Sequence, residues 1–229
     1  MIKGKKVLCI ISARLGSKGI LNKNIKLFNK KPLIYWTIYE AIKSKYIDRC
    51  IVSTDSQKIK KISTKFGAEV PFLRPKSISK DSSEVTEAIL YTINNIREKY
   101  DLIILLQPTS PLRKVRDVDK AIELMIKNNS SSLVSITKLK YPVEWILNKN
   151  NKNNVKFLSN KYIFQRQKSK LFFKPNGSIF LSTIKNFIKH KSFYIKNTYG
   201  YEMSDTKSID IDNEFDFNIA EYLFKNNYC

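Results

Sequence analysis

Few of the residues on which enzyme chemistry most often rests are present. The chain of 229 residues has one histidine, His190, set between lysines. A Ser-His-Asp triad or a two-histidine metal site has almost nothing to draw on. The three cysteines, Cys9, Cys50 and Cys229, make no CxxC and no Cys/His cluster, which argues against structural zinc. They read as reduced thiols, with Cys9 and Cys50 in apolar runs and so expected to be buried. Uncharged apolar stretches such as Leu102 to Leu106 are far too short to span a bilayer. Met1-Ile2-Lys3 leads straight into a strand-like run without a signal-peptide core. The expectation is a soluble, cytoplasmic protein. Its catalysis would fall to lysine, arginine, carboxylates, backbone amides and a hard metal.

Acidic residues are also scarce, 20 against 42 lysines and arginines, for a net charge of +22. Lysine supplies 35 of the 42, and isoleucine (30) and asparagine (20) are abundant as well. These are residues of A/T-rich codons, so much of the excess reflects drift on a solvated surface. A field that attracts polyanions is the functional reading of the same number. A basic nucleic-acid-binding module would want clustered arginine and aromatic stacking motifs. Here lysine is dispersed and no RRM, KH or zinc signature occurs.

What is present is an alternation of short apolar strands with amphipathic helices. Strands are expected at 7–12, 50–54, 102–106, 133–137, 178–181 and 208–211. Helices are expected at 32–46, 56–66, 83–100, 116–127, 183–189 and 214–224. The run 102–106 is apolar on both faces, as a central strand of a parallel sheet should be. The predicted fold class is α/β, a doubly wound, mostly parallel sheet of Rossmann-like kind, with ligands at the carboxyl ends of the strands. Residues 140–174 break the rhythm with an Asn/Lys-rich stretch. They read as an arm inserted in a single domain of residues 1–229, with a β-hairpin inside it.

Three constellations follow strand ends. After the first strand, Gly16 and Gly19 lie among Arg14, Lys18 and Lys23. Small residues let backbone N–H groups approach phosphate oxygens, and the cations neutralise them. The loop is neither a Walker A nor a GxGxxG motif. Near the C-terminus, Asp210 and Asp212 alternate with Ile209 and Ile211, which on a strand would put both carboxylates on one face. Beside a polyphosphate such a pair suits Mg²⁺; the bland alternative makes Asp212 the cap of the last helix. Asp216, in the next turn, offsets the helix dipole. After the central strand, Gln107-Pro108-Thr109-Ser110-Pro111 is either a rigid turn or a substrate contact.

Five blocks occur in order: Arg14-Leu15-Gly16-Ser17-Lys18-Gly19 with Lys23-Asn24, Val52-Ser53-Thr54-Asp55-Ser56, Leu106 to Arg113, Pro175-Asn176-Gly177-Ser178-Ile179-Phe180, and Ser208 to Asp212. With them the chain resembles, over nearly its whole length, the acylneuraminate cytidylyltransferases, or CMP-sialic acid synthetases. The resemblance implies transfer of CMP from CTP to the anomeric hydroxyl of a nine-carbon 2-keto-3-deoxy sugar acid, with release of pyrophosphate. It implies a CTP site of Arg14, Gly16, Ser17, Lys18, Lys23, Asn24 and Arg74, and a sugar site of Gln107, Arg166, Phe180, Phe193 and Tyr194. Asp210 and Asp212 would hold Mg²⁺, and Lys23, Arg14, Asp210 and Asp212 would carry the catalysis. A homodimer is implied, with the arm reaching the partner's sugar site. Val143-Glu144 stands where some sialic acid enzymes carry a lysine, Phe180 stands where tyrosine is common, and Asp81-Ser82-Ser83-Glu84-Val85 has no obvious match to a serine that some members place near the base. The sugar therefore stays open among sialic, legionaminic and pseudaminic acids. A catalytically silent homologue is the other reading, and the retained Lys23, Asp210 and Asp212 speak against it.

Overall fold

Why a cleft opens where it does follows from the order of the strands. The computed structural model describes residues 1–16, 19–80, 83–159, 165, 167, 169 and 170–228. Its central sheet has six strands in the order β10-β6-β9-β5-β1-β4. They are β1 (Val7–Ser12), β4 (Arg49–Ser53), β5 (Leu102–Leu106), β6 (Ser132–Lys138), β9 (Phe173–Thr183) and β10 (Tyr199–Glu202). β1 pairs in parallel with β4 on one side and β5 on the other, and β10 pairs in parallel with β6. β9 runs antiparallel to both β5 and β6. The chain leaves β1 for β4 on one side and returns to β5 on the other, so a crevice forms between the carboxyl ends of β1 and β5.

Alternation along the strands divides the core into two layers. Val7, Cys9 and Ile11 face α1 (Leu33–Ile42), α2 (Gln57–Lys65) and α4 (Val115–Lys127), represented by Ile38, Ile59 and Val118. Leu8 and Ile10 face α3 (Val85–Asn95) and α5 (Ile184–His190) through Ile89 and Phe187. β5 is buried at all five positions, as its uninterrupted apolar run requires. Ser56 caps α2, its side chain accepting from the Ile59 amide, and Gly67 follows the helix at φ +91. Cys9 and Cys50 are both buried, facing one another across β1 and β4. Cys229 lies outside the described residues.

A third cluster was not foreseen. The hairpin β2 (Leu27–Phe28) and β3 (Lys31–Pro32) packs Phe28 against Phe217 and Ala220 of α6 (Glu214–Lys225), together with Ile211. It fastens the last helix, and the segment before it, beside the crevice. The arm contains the expected hairpin, β7 (Leu147–Lys149) with β8 (Val155–Phe157).

The expected strand at 208–211 does not form. The edge beside β6 is taken by β10, and Ser208 to Asp212 instead crosses the ends of the strands. The Ile211 amide donates to the Thr109 carbonyl at 2.9 Å, while Ile211 itself is buried. Two helices are shorter than expected, α1 ending at Ile42 and α3 at Asn95.

Candidate active site

The crevice at the ends of β1 and β5 holds a cleft of about 390 Å³, lined by Arg14, Gly16, Gly19, Lys23, Asn24, Arg74, Gln107, Asp210 and Asp212. Nine residues singled out in the sequence, eight from three separate blocks together with Arg74, thus share one cavity.

The loop after β1 is held by its backbone. Asn24, buried, donates its Nδ2 to the Arg14 carbonyl at 2.8 Å, and the Leu15 amide donates to Asp55 Oδ1 at 3.1 Å. Asn24 therefore shapes the loop from beneath. Lys23 sits in a short 3₁₀ turn, Lys23–Ile25; its Nζ donates to the Ile211 carbonyl at 2.5 Å and lies 3.8 Å from Asp212 Oδ1. At Gly19 a Cβ would fall 1.9 Å from the Asp212 carbonyl oxygen, so only glycine lets the loop lie on that segment. Ser17 and Lys18 lie outside the described residues.

Arg74 is 6% exposed, and its Nη1 donates to Ser12 Oγ at 3.2 Å. Its Nε and Nη2 are buried without hydrogen-bond partners among the described residues. Burial holds its pKa below the usual arginine value, with nearby Asp55 acting in the opposite sense and Arg14 adding to the lowering. Two orphaned donors at a cleft wall form a ready receptor for an acceptor atom on a ligand.

On the other side, the antiparallel course of β9 brings Gly177 to the end of β5, since Leu106 pairs with Ile179. Gly177 has φ +75, and a Cβ there would lie 2.6 Å from Asp210 Oδ2 and 3.4 Å from Gln107 Oε1. Gln107, Gly177 and Asp210 therefore meet at one point. Buried Asn176 ties this bend to its neighbours: Ser135 Oγ donates to its Oδ1 at 2.5 Å, and its Nδ2 donates to Ser208 Oγ at 2.9 Å.

The two aspartates share the cleft but not the environment. Asp210 Oδ1 is buried without a partner, whereas Asp212 is exposed. Desolvation raises the Asp210 pKa; the Thr109 hydroxyl lowers it, the Asp212 charge raises it further, and Lys23 counteracts. Asp212 is not the helix cap. Asn213 caps α6 in a capping box with Asp216, whose Oδ2 also accepts from the Asp212 amide at 3.0 Å. Among the described residues no group of three or more His, Cys, Asp and Glu side chains gathers as a metal site. A buried, unpaired carboxylate oxygen beside a second carboxylate nevertheless fits Mg²⁺, which uses one or two carboxylates and completes its shell from phosphate and water.

The aromatic residues expected as sugar walls are placed elsewhere. Phe180 and Phe193 are buried in the core with Phe187, and neither lines the cleft. Their rings lie 5.5 Å apart, and the Phe193 carbonyl accepts from Ser132 Oγ at the opposite end of β6. Tyr194 is 56% exposed and borders a separate groove with His190 and Lys196. Arg166 lies outside the described residues. Sequence reasoning missed Ser12, Ser79, Lys80, Ser83, Glu84 and Thr109, all of which line the cleft. It also gave no role to Asp55 or Gly177, although both stand in quoted blocks.

A switch-point cleft that brings loop cations and a carboxylate pair together defines an α/β nucleotide-transferring enzyme. Comparison with known proteins narrows the class. Residues 8–227 match the cytidylyltransferase family, and the chain belongs to it. It is 33% identical to the CMP-N,N'-diacetyllegionaminic acid synthase of Legionella pneumophila, over 97% of both chains. It is 31% identical to the pseudaminic acid cytidylyltransferase of Campylobacter jejuni, over 97% of this chain and 98% of that one. The N-acylneuraminate cytidylyltransferase of Escherichia coli is 32% identical over 94% of this chain, which spans 51% of that protein. Among solved structures, a CMP:2-keto-3-deoxy-manno-octonic acid synthetase complexed with CTP superposes with a TM-score of 0.73 at 15% identity, covering 97% of this chain and 99% of that one. At that identity the likeness speaks for the fold.

Proposed function

We propose that the protein transfers CMP from CTP to the anomeric hydroxyl of a nonulosonic acid, releasing pyrophosphate. The observation that carries this reading is the convergence of Arg14, Lys23 and Arg74 with Gln107 and Asp210 in one cleft. Relatives named for legionaminic, pseudaminic and N-acylneuraminic acids support the substrate class, and all three stay within it.

In this reading the β1 loop and Lys23 receive the triphosphate, and the orphaned Arg74 donors take an acceptor on the nucleotide. Gln107, across the cleft, orients the sugar acid. The sugar hydroxyl oxygen bonds to the α-phosphorus while the bond from that phosphorus to the bridging oxygen breaks; pyrophosphate leaves and the hydroxyl proton passes to solvent. No covalent nucleophile is needed, only in-line positioning and compensation of negative charge. Asp210 and Asp212 would hold Mg²⁺, which when bound supplies positive charge to the phosphate oxygens. Lys23, fixed between the Ile211 carbonyl and Asp212, stays beside that pair and neutralises phosphate charge.

We also propose that the arm docks on a second copy. Trp145, Ile146, Leu147, Val155 and Leu158 are exposed on and beside the hairpin, an apolar surface that one chain leaves uncovered. The Lys-rich remainder of the surface requires no nucleic-acid partner.

Purified protein, CTP, Mg²⁺ and a panel of eight- and nine-carbon 2-keto-3-deoxy sugar acids test the reading through pyrophosphate. Release is expected with one of the nine-carbon acids. No release with any acid, where a control enzyme works, refutes it.

A further inference from the structure

Arg113 has the largest of the fully buried side chains, at 1% exposure. An arginine so placed normally meets a carboxylate, because an unpaired buried charge is costly. Here every hydrogen-bond acceptor among the described residues is neutral. Nη1 donates to the Ser178 carbonyl at 2.8 Å and to the Gln107 carbonyl at 3.4 Å, and Nη2 donates to Thr37 Oγ1 at 2.9 Å. The Thr37 hydroxyl itself donates to the Gln107 carbonyl at 3.3 Å, and Arg113 Nε has no partner. Burial draws the guanidinium down to about 10, so it remains charged at neutral pH; Cys9, Glu40 and Asp117 act on it at longer range in the opposite sense.

The two carbonyls belong to the two strands that form the floor of the cleft. Gln107 directly follows β5 and Ser178 follows the Gly177 bend of β9. Gly177 lies against both Asp210 Oδ2 and Gln107 Oε1, with no room for a Cβ. A shift of one strand end against the other would move Gln107 relative to Asp210.

We propose that Arg113 is a positioning residue for the transfer: by holding the Gln107 and Ser178 carbonyls in one guanidinium fork it sets the spacing between the sugar-orienting Gln107 and the carboxylate Asp210. The planar guanidinium matters because Nη1 takes both carbonyls while Nη2 takes the Thr37 hydroxyl, a spread of donor atoms that the single nitrogen of lysine does not reproduce. Arg113 touches no substrate, so its effect is exerted through Gln107 and Asp210. The triphosphate lip, Arg14 and Lys23, is held by Asn24, Asp55 and Ile211 and does not depend on it.

The inference rests on the cytidylyltransfer reading, and native enzyme run in parallel separates the two. Steady-state constants and thermal melting are measured for Arg113→Lys in the presence of Mg²⁺. In folded Arg113→Lys the expectation is a kcat about ten-fold or more below native, a raised KM for the sugar acid and a KM for CTP within about two-fold of native. A residue that served only stability would lower the melting temperature and leave these constants of the folded enzyme alone. Thr37→Val, which keeps Arg113 and removes the bridging hydroxyl, gives the second reading should Arg113→Lys not fold. Its kcat is expected to fall about two- to five-fold, again without loss of CTP affinity. Native-like kcat in folded Arg113→Lys, or in Thr37→Val where the first variant does not fold, overturns the inference. An equal loss for CTP and sugar acid does so as well. Inactive native enzyme overturns the underlying reading instead.

Discussion

The two lips of the cleft are built on opposite terms. One lip, the loop proposed for the triphosphate, presents Arg14 and Lys23 at the cleft wall, while its backbone is pinned by Asn24, Asp55 and the Gly19 contact with Asp212. The floor opposite it is made of buried polar groups: Asp210 with an unpaired oxygen, Asn176 bridging Ser135 and Ser208, and Gly177 with no space for a side chain. A phosphate chain is long, mobile and highly charged, so surface cations on a shaped loop suffice to receive it. The reacting hydroxyl has to be placed within a fraction of an ångström, and only packed, desolvated groups hold that tolerance.

This contrast breaks most visibly at Asp210. Asp210→Asn should lower Mg²⁺-dependent turnover about 100-fold or more, since in the proposed reading it removes a carboxylate charge that would hold the cation beside the phosphates. The same variant should melt higher than native in the absence of metal at neutral pH. The folded-state pKa of Asp210 is raised, so ionisation opposes folding as pH climbs above 3.8, and the amide escapes that penalty. Melting curves between pH 3 and 7 check the sign: in metal-free native protein this residue's contribution declines with rising pH, and in Asp210→Asn it does not.

Gly177→Ala comes next. Its φ of +75 and the 2.6 Å approach to Asp210 Oδ2 penalise any side chain, so kcat should fall about ten- to 100-fold, while CTP binding by calorimetry stays near native. Arg74→Met works on the other lip. It should weaken CTP about ten-fold and change kcat at saturating CTP little, because in the proposed reading its unpartnered donors serve the nucleotide. The smallest effect is expected far from both lips: Thr183, whose side chain caps α5 by accepting from the Asn186 amide, should cost about 1 kcal/mol of stability on Thr183→Ala and leave turnover alone. Chemical denaturation read beside steady-state rates sorts these four cases.

Most of the sheet could be read from the residues because β1 and β5 are continuous apolar runs with polar boundaries. The strand expected at 208–211 shows where such reading stops. The alternation Ile209, Asp210, Ile211, Asp212 is real, and Ile211 is buried, but pairing depends on which edge is free, and β10 occupies that edge. β10 itself, Tyr-Gly-Tyr-Glu, carries only a weak strand pattern and was not foreseen. The cation loop was legible from glycines among lysines and arginine. Arg74 entered through family resemblance, and its orphaned donors emerge only from the packing around Ser12. Phe180 and Phe193 also entered through family resemblance. They were expected as sugar walls, and the structure places both rings in the core under α3 and α5, outside the lining of the cleft.

The most direct test follows the α-phosphorus. CTP labelled at that atom, incubated with Mg²⁺, native enzyme and a nine-carbon 2-keto-3-deoxy sugar acid, should deliver its label to a CMP-sugar, in equal amount to the pyrophosphate formed. Asp210→Asn should form almost none. Label found only in free CMP or CDP with the native enzyme would contradict the account.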